Sequence, residues 1–325
     1  MTTDSNKPPS DDEDPPLVAL KTKFLDWWEG YETPSGKRRR IAAAEAASRD
    51  GSGSMFPGDR GPQPGMNRFG KPLWTATRLE VAEKIWGAGY ITPGGDELIT
   101  TLAKPLGLNP AMTALEVGCG LGGACRCLAR QFGSWFTGLE ASPFLVEQGM
   151  ERSAKAKLAK QAPIQLFDPE NFKFGKRVDA VISKDAFFTI RNKTGLFDRI
   201  ERILKPRGQF LCTDYIVAPE ARNTRPIKTW SDREPLEPQL WTLQGALDAF
   251  AQCNFDLRIQ EDITDNHVSM ILTSIKAFTE HLEQHHLDKE TKVNVIDEVE
   301  TWAQRVSALH SGLRCYRFYA IKPPE

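Results

Sequence analysis

The sequence predicts a doubly wound α/β fold, with a mostly parallel seven-stranded sheet and helices on both faces. Three observations carry this. From residue 114 onward, short apolar runs alternate with helical stretches, the pattern that builds parallel sheets. One run, 113–117, passes straight into glycines at Gly118, Gly120, Gly122 and Gly123 and then into a helical stretch, 124–132. Strand, glycine turn and helix is how such sheets bring bare backbone up to a nucleotide-like ligand. Four successive strand ends then carry acids: Glu116, Glu140, Asp168 and Asp185. Ligands bind at the carboxyl ends of strands in open α/β sheets.

In chain order, residues 1–16 hold Asp4, Asp11, Asp12, Glu13 and Asp14 against one lysine, with four prolines. Such a segment cannot bury a core, and a disordered acidic tail is expected. An amphipathic helix plus a linker is expected over 17–70. Leu17, Leu20, Phe24, Trp27 or Trp28, and Tyr31 recur at helical spacing. Two adjacent tryptophans need cover, from the rest of the chain or from a protein partner or second copy docking on 17–31. Lys37, Arg38, Arg39 and Arg40 read as a solvated charge run, and 50–67 as a Gly/Pro/Ser linker.

The main globular domain is expected over 71–325. Helices are predicted at 75–86, with Leu79, Ala82, Ile85 and Trp86 on one face, and at 96–106. Strands follow at 114–117, 135–139, 164–167, 178–182 and 209–214, with helices at 124–132, 143–157 and 195–204 between them. The run Lys205-Pro206-Arg207-Gly208 reads as a helix stop and turn. An insertion at 218–240, holding Arg222, Arg225, Lys228, Trp230 and Arg233, is expected to cap the strand ends. A helix at 243–253, a strand at 255–261, helices at 273–286 and 289–309 and a last strand at 314–322 complete the pattern.

Composition narrows the function classes. A net charge of −1 makes no global case for nucleic acid or a membrane surface. The basic residues at 37–40 and 222–233 are too few and dispersed for nucleic-acid binding. Six cysteines show no paired CxxC spacing, which argues against zinc, and no metal site is expected. Their apolar surroundings fit reduced thiols in a cytoplasmic protein. No apolar run is long enough to span a bilayer, and no apolar signal segment opens the chain.

Gly118, Gly120 and Gly123 satisfy G-x-G-x-x-G, so spacing alone leaves NAD and S-adenosylmethionine (SAM) both open. Glu116 tips the balance. At the end of its strand it would repel a pyrophosphate and welcome the ammonium and sulfonium of SAM. Glu140, after the second strand, is placed for two ribose hydroxyls, a position NAD enzymes also use. Asp168 is placed for an adenine amino group and Asp185 for the reacting end. For each acid the plainer role is a helix cap or first-turn charge.

These features together resemble class I SAM-dependent methyltransferases, and more narrowly the phosphoethanolamine N-methyltransferases. The resemblance runs from about Trp74 to Lys322. It rests on the loop from Trp86 to Gly95 with its Ile91-Thr92-Pro93-Gly94-Gly95, on Leu115 to Gly123, and on Ser183-Lys184-Asp185-Ala186. It continues through Leu204 to Gly208, Thr213-Asp214-Tyr215, Cys253-Asn254-Phe255 and the final Tyr316 to Lys322. It implies a Rossmann-like methyltransferase fold with SAM as cofactor. Tyr90, Ile91 and Thr92 would close over the cofactor, and Glu116, Gly118 and Gly120 would hold its methionine end. Glu140 would take the ribose, with Ala141 and Asp168 flanking the adenine, and Pro169 and Lys184 are further cofactor-binding candidates. Asp185 would line the methyl-transfer site.

The substrate side departs from that pattern. Thr189 stands where the family has its catalytic histidine, and Trp74 where it has the partner tyrosine. The family's phosphate-binding arginine and tyrosine fall near Leu236 and Pro238. Tyr215 is retained. No histidine precedes His267, which lies nearest a predicted strand end. Without the His–Tyr pair, an ammonium substrate has no evident base. Asp185, Tyr215 and His267 are the candidate catalytic residues of a methyltransferase acting on a small molecule. Trp74, Tyr90, Phe187 and Trp241 are candidate walls for a cationic or apolar substrate. The alternatives are a SAM-binding sensor or scaffold that has lost catalysis and docks through 17–31, and phosphobase methylation with a rewired base.

Overall fold

The computed structural model describes residues 65–282 and 287–324. Nearly all of them lie in one compact unit, Pro62–Phe278 with His286–Glu325; the other unit, Met1–Gly61 with Thr279–His285, is described only over 279–282. The expected acidic tail, the 17–31 helix, the 37–40 cluster and most of the linker lie outside the described residues.

Two helices lead into the sheet. α1 (Ala76–Trp86) starts where the Thr75 hydroxyl accepts the Arg78 N–H at 3.2 Å, and buries Leu79, Ala82, Ile85 and Trp86. α2 (Gly95–Ala103) follows, extended by a single 3₁₀ turn, Lys104–Leu106. The alternating units are β1 (Thr113–Val117), α3 (Gly123–Phe132), β2 (Trp135–Glu140), α4 (Pro143–Lys155), β3 (Ile164–Leu166), β4 (Val178–Lys184), α5 (Lys193–Ile203) and β5 (Leu204–Val217). α4 and α5 are capped by Ser142 and Asn192, which accept from Leu145 and Gly195 N–H. After β5 come α6 (Arg225–Arg233), α7 (Leu243–Gln252), β6 (Asp256–Asp262), α8 (Thr264–Leu282), α9 (Lys289–His310) and β7 (Leu313–Ile321).

The strand order is β3-β2-β1-β4-β5-β7-β6. β1 through β5 pair in parallel, and β7 runs antiparallel between β5 and β6. The chain steps outward from β1 to β3, then returns to the other side of β1 with β4. The reversal opens a crevice at the carboxyl ends of β1 and β4, where such folds bind ligands. Beside it an aromatic core fixes the frame: Phe197 meets Phe210 at 5.2 Å and Phe250 at 5.0 Å, edge-on.

Two expectations need correction. The helix predicted to begin at residue 273 begins at Thr264. Asp262 accepts the Thr264 N–H and hydroxyl, and His267 N–H bonds to the Ile263 carbonyl at 2.9 Å. Polar first turns hid the stripe of Val268, Ile271, Ile275 and Phe278, which is buried. The turn at 205–208 lies inside β5 instead of before it. Leu204 already pairs with Val178, the register then skips to Gln209 opposite Ala180, and Arg207 takes a positive φ of 61°. A bulge absorbs the turn because neighbours on both sides hold the strand.

Candidate active site

One half of the crevice is built from consecutive motifs. At the end of β1, Gly118, Gly120 and Gly122 all take left-handed φ values, 73°, 56° and 72°. A Cβ on Gly118 would lie 2.4 Å from the Ala186 Cβ, and one on Gly120 would lie 2.9 Å from the Ile91 side chain. Only bare backbone fits there. Glu140, at the tip of β2, accepts from Gly120 N–H at 3.0 Å and Ser142 N–H at 2.8 Å. Glu116 is buried and accepts the Cys125 thiol at 2.9 Å. Burial pushes both carboxyls up to about 7, against the pull of their hydrogen bonds and, for Glu116, of Lys184 and Arg126. Tyr90 packs on the start of α3 and donates to Asp96. Lys184 donates to the Thr92 hydroxyl at 2.5 Å and the Pro93 carbonyl at 3.1 Å, tying this loop to the end of β4.

Opposite lies a second constellation from distant parts of the chain. Asp185 takes a φ of 52°, rare for a non-glycine residue and a common mark of a functional turn. Its carboxylate accepts the Thr213 hydroxyl at 2.6 Å and sits 3.4 Å from Lys184 Nζ. Burial alone would raise it; Lys184, His267, Thr213 and Arg305 outweigh that and hold it below the ordinary range. The Tyr215 hydroxyl, on β5, lies 2.8 Å from His267 Nε2, in the first turns of α8. Burial drives the Tyr215 hydroxyl well up and His267 down to about 4, so both are neutral near pH 7. Phe188 packs edge-on against Tyr215 at 5.1 Å, and Trp230 of α6 lies 6.2 Å from both rings. Arg305 of α9 lies 5.4 Å from the Tyr215 and Phe188 ring centres and 4.2 Å from that of Trp302. It is paired with Glu234, which also accepts Trp230 Nε1 at 2.5 Å.

Comparison with known proteins bears directly on this geometry. Residues 108–244 match a methyltransferase-domain family. Phosphoethanolamine N-methyltransferase 1 of Zea mays is 24% identical over 239 residues, 74% of this chain and 47% of that one. The Plasmodium falciparum phosphoethanolamine N-methyltransferase is 28% identical over 72% of this chain and 86% of its own. The chain thus spans about half the length of the maize relative and most of the Plasmodium one. Among solved structures, Haemonchus contortus phosphoethanolamine N-methyltransferase 2 with phosphomonomethylethanolamine and S-adenosylhomocysteine superposes with a TM-score of 0.68. It is 22% identical, over 78% of this chain and 62% of that one.

The fold is that of a class I SAM-dependent methyltransferase. SAM is the cofactor to which this fold points, and the residues fit it. The crevice presents carboxyls at the ends of β1 and β2 and a cradle that a Cβ would fill. Arg126, the cation behind the loop, is committed to the Leu121 and Gly149 carbonyls. That donor set suits an ammonium and a ribose better than a pyrophosphate.

The structure brings several of the expected site residues together near the glycine loop. Ile91 and Tyr90 pack against Gly120 and Gly123, Glu140 accepts from Gly120, and Glu116 accepts from Cys125 on α3, while Lys184 ties Thr92 to the end of β4. Asp168 is exposed and caps the 3₁₀ turn Pro169–Asn171 by accepting the Glu170 N–H, the plainer role considered for it. Asp185, Tyr215 and His267 come together through hydrogen bonds and charge. Thr189 donates to the Ala186 carbonyl at 3.1 Å, and Trp74 lies under the Arg78 guanidinium at 4.3 Å. Of the aromatic walls, Phe187 and Trp241 belong to the Phe197 core. Sequence reading missed Thr213, Phe188, Glu234, Trp302 and Arg305. Arg305 carried a signal: it interrupts the α9 stripe of Val295, Val299, Trp302, Val306 and Leu309, all buried, and a charge on such a stripe must be paired.

Proposed function

We propose that this chain is a SAM-dependent methyltransferase for a small-molecule acceptor, with Tyr215 and His267 contacting the acceptor and Asp185 fixing the edge of the transfer site. The observation that carries it is the Tyr215–His267 pair. The residues that the resemblance sets against the family pair are Trp74 and Thr189, and a tyrosine–histidine pair of the same chemistry is buried elsewhere, within the electrostatic reach of Asp185. Ala186, next to Asp185, lies against Gly118, which supports placing the pair at the reacting end of the cofactor. SAM supplies an electrophilic methyl group. Glu116 and Glu140 would hold its ammonium and ribose, and Ile91 would cover it. The chain's own contribution is positioning and exclusion of water. With His267 neutral down to about pH 4, the pair offers hydrogen bonds and little basicity. Stripping a proton from an ordinary ammonium with such a base would cost on the order of 8 kcal/mol. The pair therefore suits an acceptor atom that is neutral before it attacks.

Calorimetric titration with SAM and then NAD tests the cofactor, with SAM expected to bind and NAD not. Incubation with SAM and a small-molecule extract tests the reaction. S-adenosylhomocysteine is expected above blank, and its loss on Tyr215→Phe supports the assigned pair. SAM binding without any turnover would leave a SAM-binding sensor in place of an enzyme.

A further inference from the structure

Four charged groups act on the Tyr215–His267 pair: Lys184, Asp185, Glu234 and Arg305. Each is already matched within the protein. Lys184 has Asp185, Thr92 and Pro93. Arg305 gives Nε to Glu234 at 3.0 Å and a second guanidinium nitrogen to the same carboxylate oxygen. Its guanidinium carbon lies over the rings of Trp302, Tyr215 and Phe188. Both partners of that ion pair are buried, Arg305 at 6% and Glu234 at 3% exposure. A guanidinium beside an aromatic pocket is a ready anion receptor, because its fork fits carboxylate and phosphate alike. Here Glu234, held by Trp230, fills the fork from inside.

We propose that Glu234 is an internal counter-ion that withholds Arg305 from anionic substrate groups, so that the part of the acceptor buried against Tyr215 and His267 carries no charge. This rests on the methyltransferase reading above and deepens it. Two cations and two anions close their account around the pair. Among the described residues the charged groups around the pair are matched to one another, so a charged acceptor would enter a buried, aromatic setting without a counter-charge to meet it, which is heavily unfavourable. A neutral hydroxyl, thiol or amine on an apolar or aromatic body would suit the buried aromatic cluster of Phe188, Tyr215 and Trp230 and the hydrogen bonds of the pair.

The test uses the full chain, with and without S-adenosylhomocysteine, and three probes: inorganic phosphate, phosphoethanolamine and tetramethylammonium. Wild-type protein is expected to bind none of them saturably in the millimolar range. Glu234→Gln keeps the side-chain shape and removes the charge. It is expected to tighten inorganic phosphate by about tenfold or more, and Arg305→Met in that background is expected to abolish the gain. Saturable binding of phosphoethanolamine or tetramethylammonium to the wild type overturns the proposal, whatever the variants do. So does a folded Glu234→Gln protein that takes phosphate no better than wild type. Failure of S-adenosylhomocysteine to bind any of these proteins would instead strike the cofactor reading, since the phosphate arm runs equally without it.

Discussion

The two sides of the crevice are assembled in opposite ways. The proposed cofactor side comes from one stretch, 90–186, gathered at neighbouring strand ends: Glu140 holds Gly120, Ala186 lies against Gly118, and Lys184 holds Thr92. The acceptor side gathers Phe188, Tyr215, Trp230, His267 and Arg305 from five separate places along the chain. Backbone geometry constrains the first side, side-chain packing the second. Insertions and helix shifts can rebuild the acceptor side without touching the cofactor side. On the proposed reading, a tyrosine–histidine pair at 215 and 267 in place of one at 74 and 189 would be such a rebuilding.

Gly118→Ala should separate the sides most sharply. At φ 73° a Cβ is strained, and it would meet the Ala186 Cβ at 2.4 Å. Strain and overlap each cost on the order of 1–3 kcal/mol. SAM affinity is expected to fall at least about 100-fold by calorimetry, while Gly175→Ala, with no atom within 4 Å of its added Cβ, leaves it unchanged. Equal SAM affinity in both variants would detach the glycine loop from the cofactor.

This division also decides what could be read from the residues alone. The positions of Glu116, Gly118, Glu140 and Asp185 at strand ends were legible because a glycine turn between a strand and a helix has few backbone solutions, and apolar periodicity sets where each strand stops. The seven strands were legible for the same reason. Arg305, Glu234 and Thr213 were not, since nothing local in α9 or after α6 says which distant ring or carboxylate they will meet. His267 stands out in the sequence for its closeness to a strand end. Its partner became visible only once α8 was seen to start at Thr264, on the strength of an Asp262 cap that a polar stretch had disguised.

On the acceptor side, Tyr215→Phe is the next largest effect. It removes the hydroxyl 2.8 Å from His267 and leaves a buried imidazole nitrogen without that partner. Stability is expected to drop about 1–3 kcal/mol in urea unfolding, and turnover to fall about 100-fold, with SAM affinity held within about twofold. A loss of SAM affinity parallel to the loss of turnover would mean that the two sides are not independent.

Proton linkage probes the cofactor side without mutation. Glu116 and Glu140 sit at about 7 in the free protein, above their ordinary value of 4.5. A cationic ammonium near Glu116 lowers its value in the complex, and ribose hydroxyls donating to Glu140 do the same. Binding then releases protons. SAM affinity should rise with pH between about 5 and 7, by at most about tenfold per pH unit for each group, and flatten above. Heats measured in buffers of different ionisation enthalpy should show proton release near pH 6. Proton uptake would place the two carboxyls away from the cofactor's cation and ribose.

The smallest expected effect is at Thr189, where the family pattern would expect the largest. Its partly buried hydroxyl makes one hydrogen bond, to the Ala186 carbonyl at 3.1 Å within the same 3₁₀ turn. Thr189→Ala should therefore cost about 0.5–1.5 kcal/mol of stability and change turnover less than about twofold. Turnover and unfolding are measured on one preparation, so a structural loss cannot pass for a catalytic one. If Thr189→Ala instead slows the enzyme as much as Tyr215→Phe while unfolding normally, the reacting centre has stayed at the family's position. Tyr215 and His267 would then be a buried structural pair, and the acceptor side would not have been rebuilt.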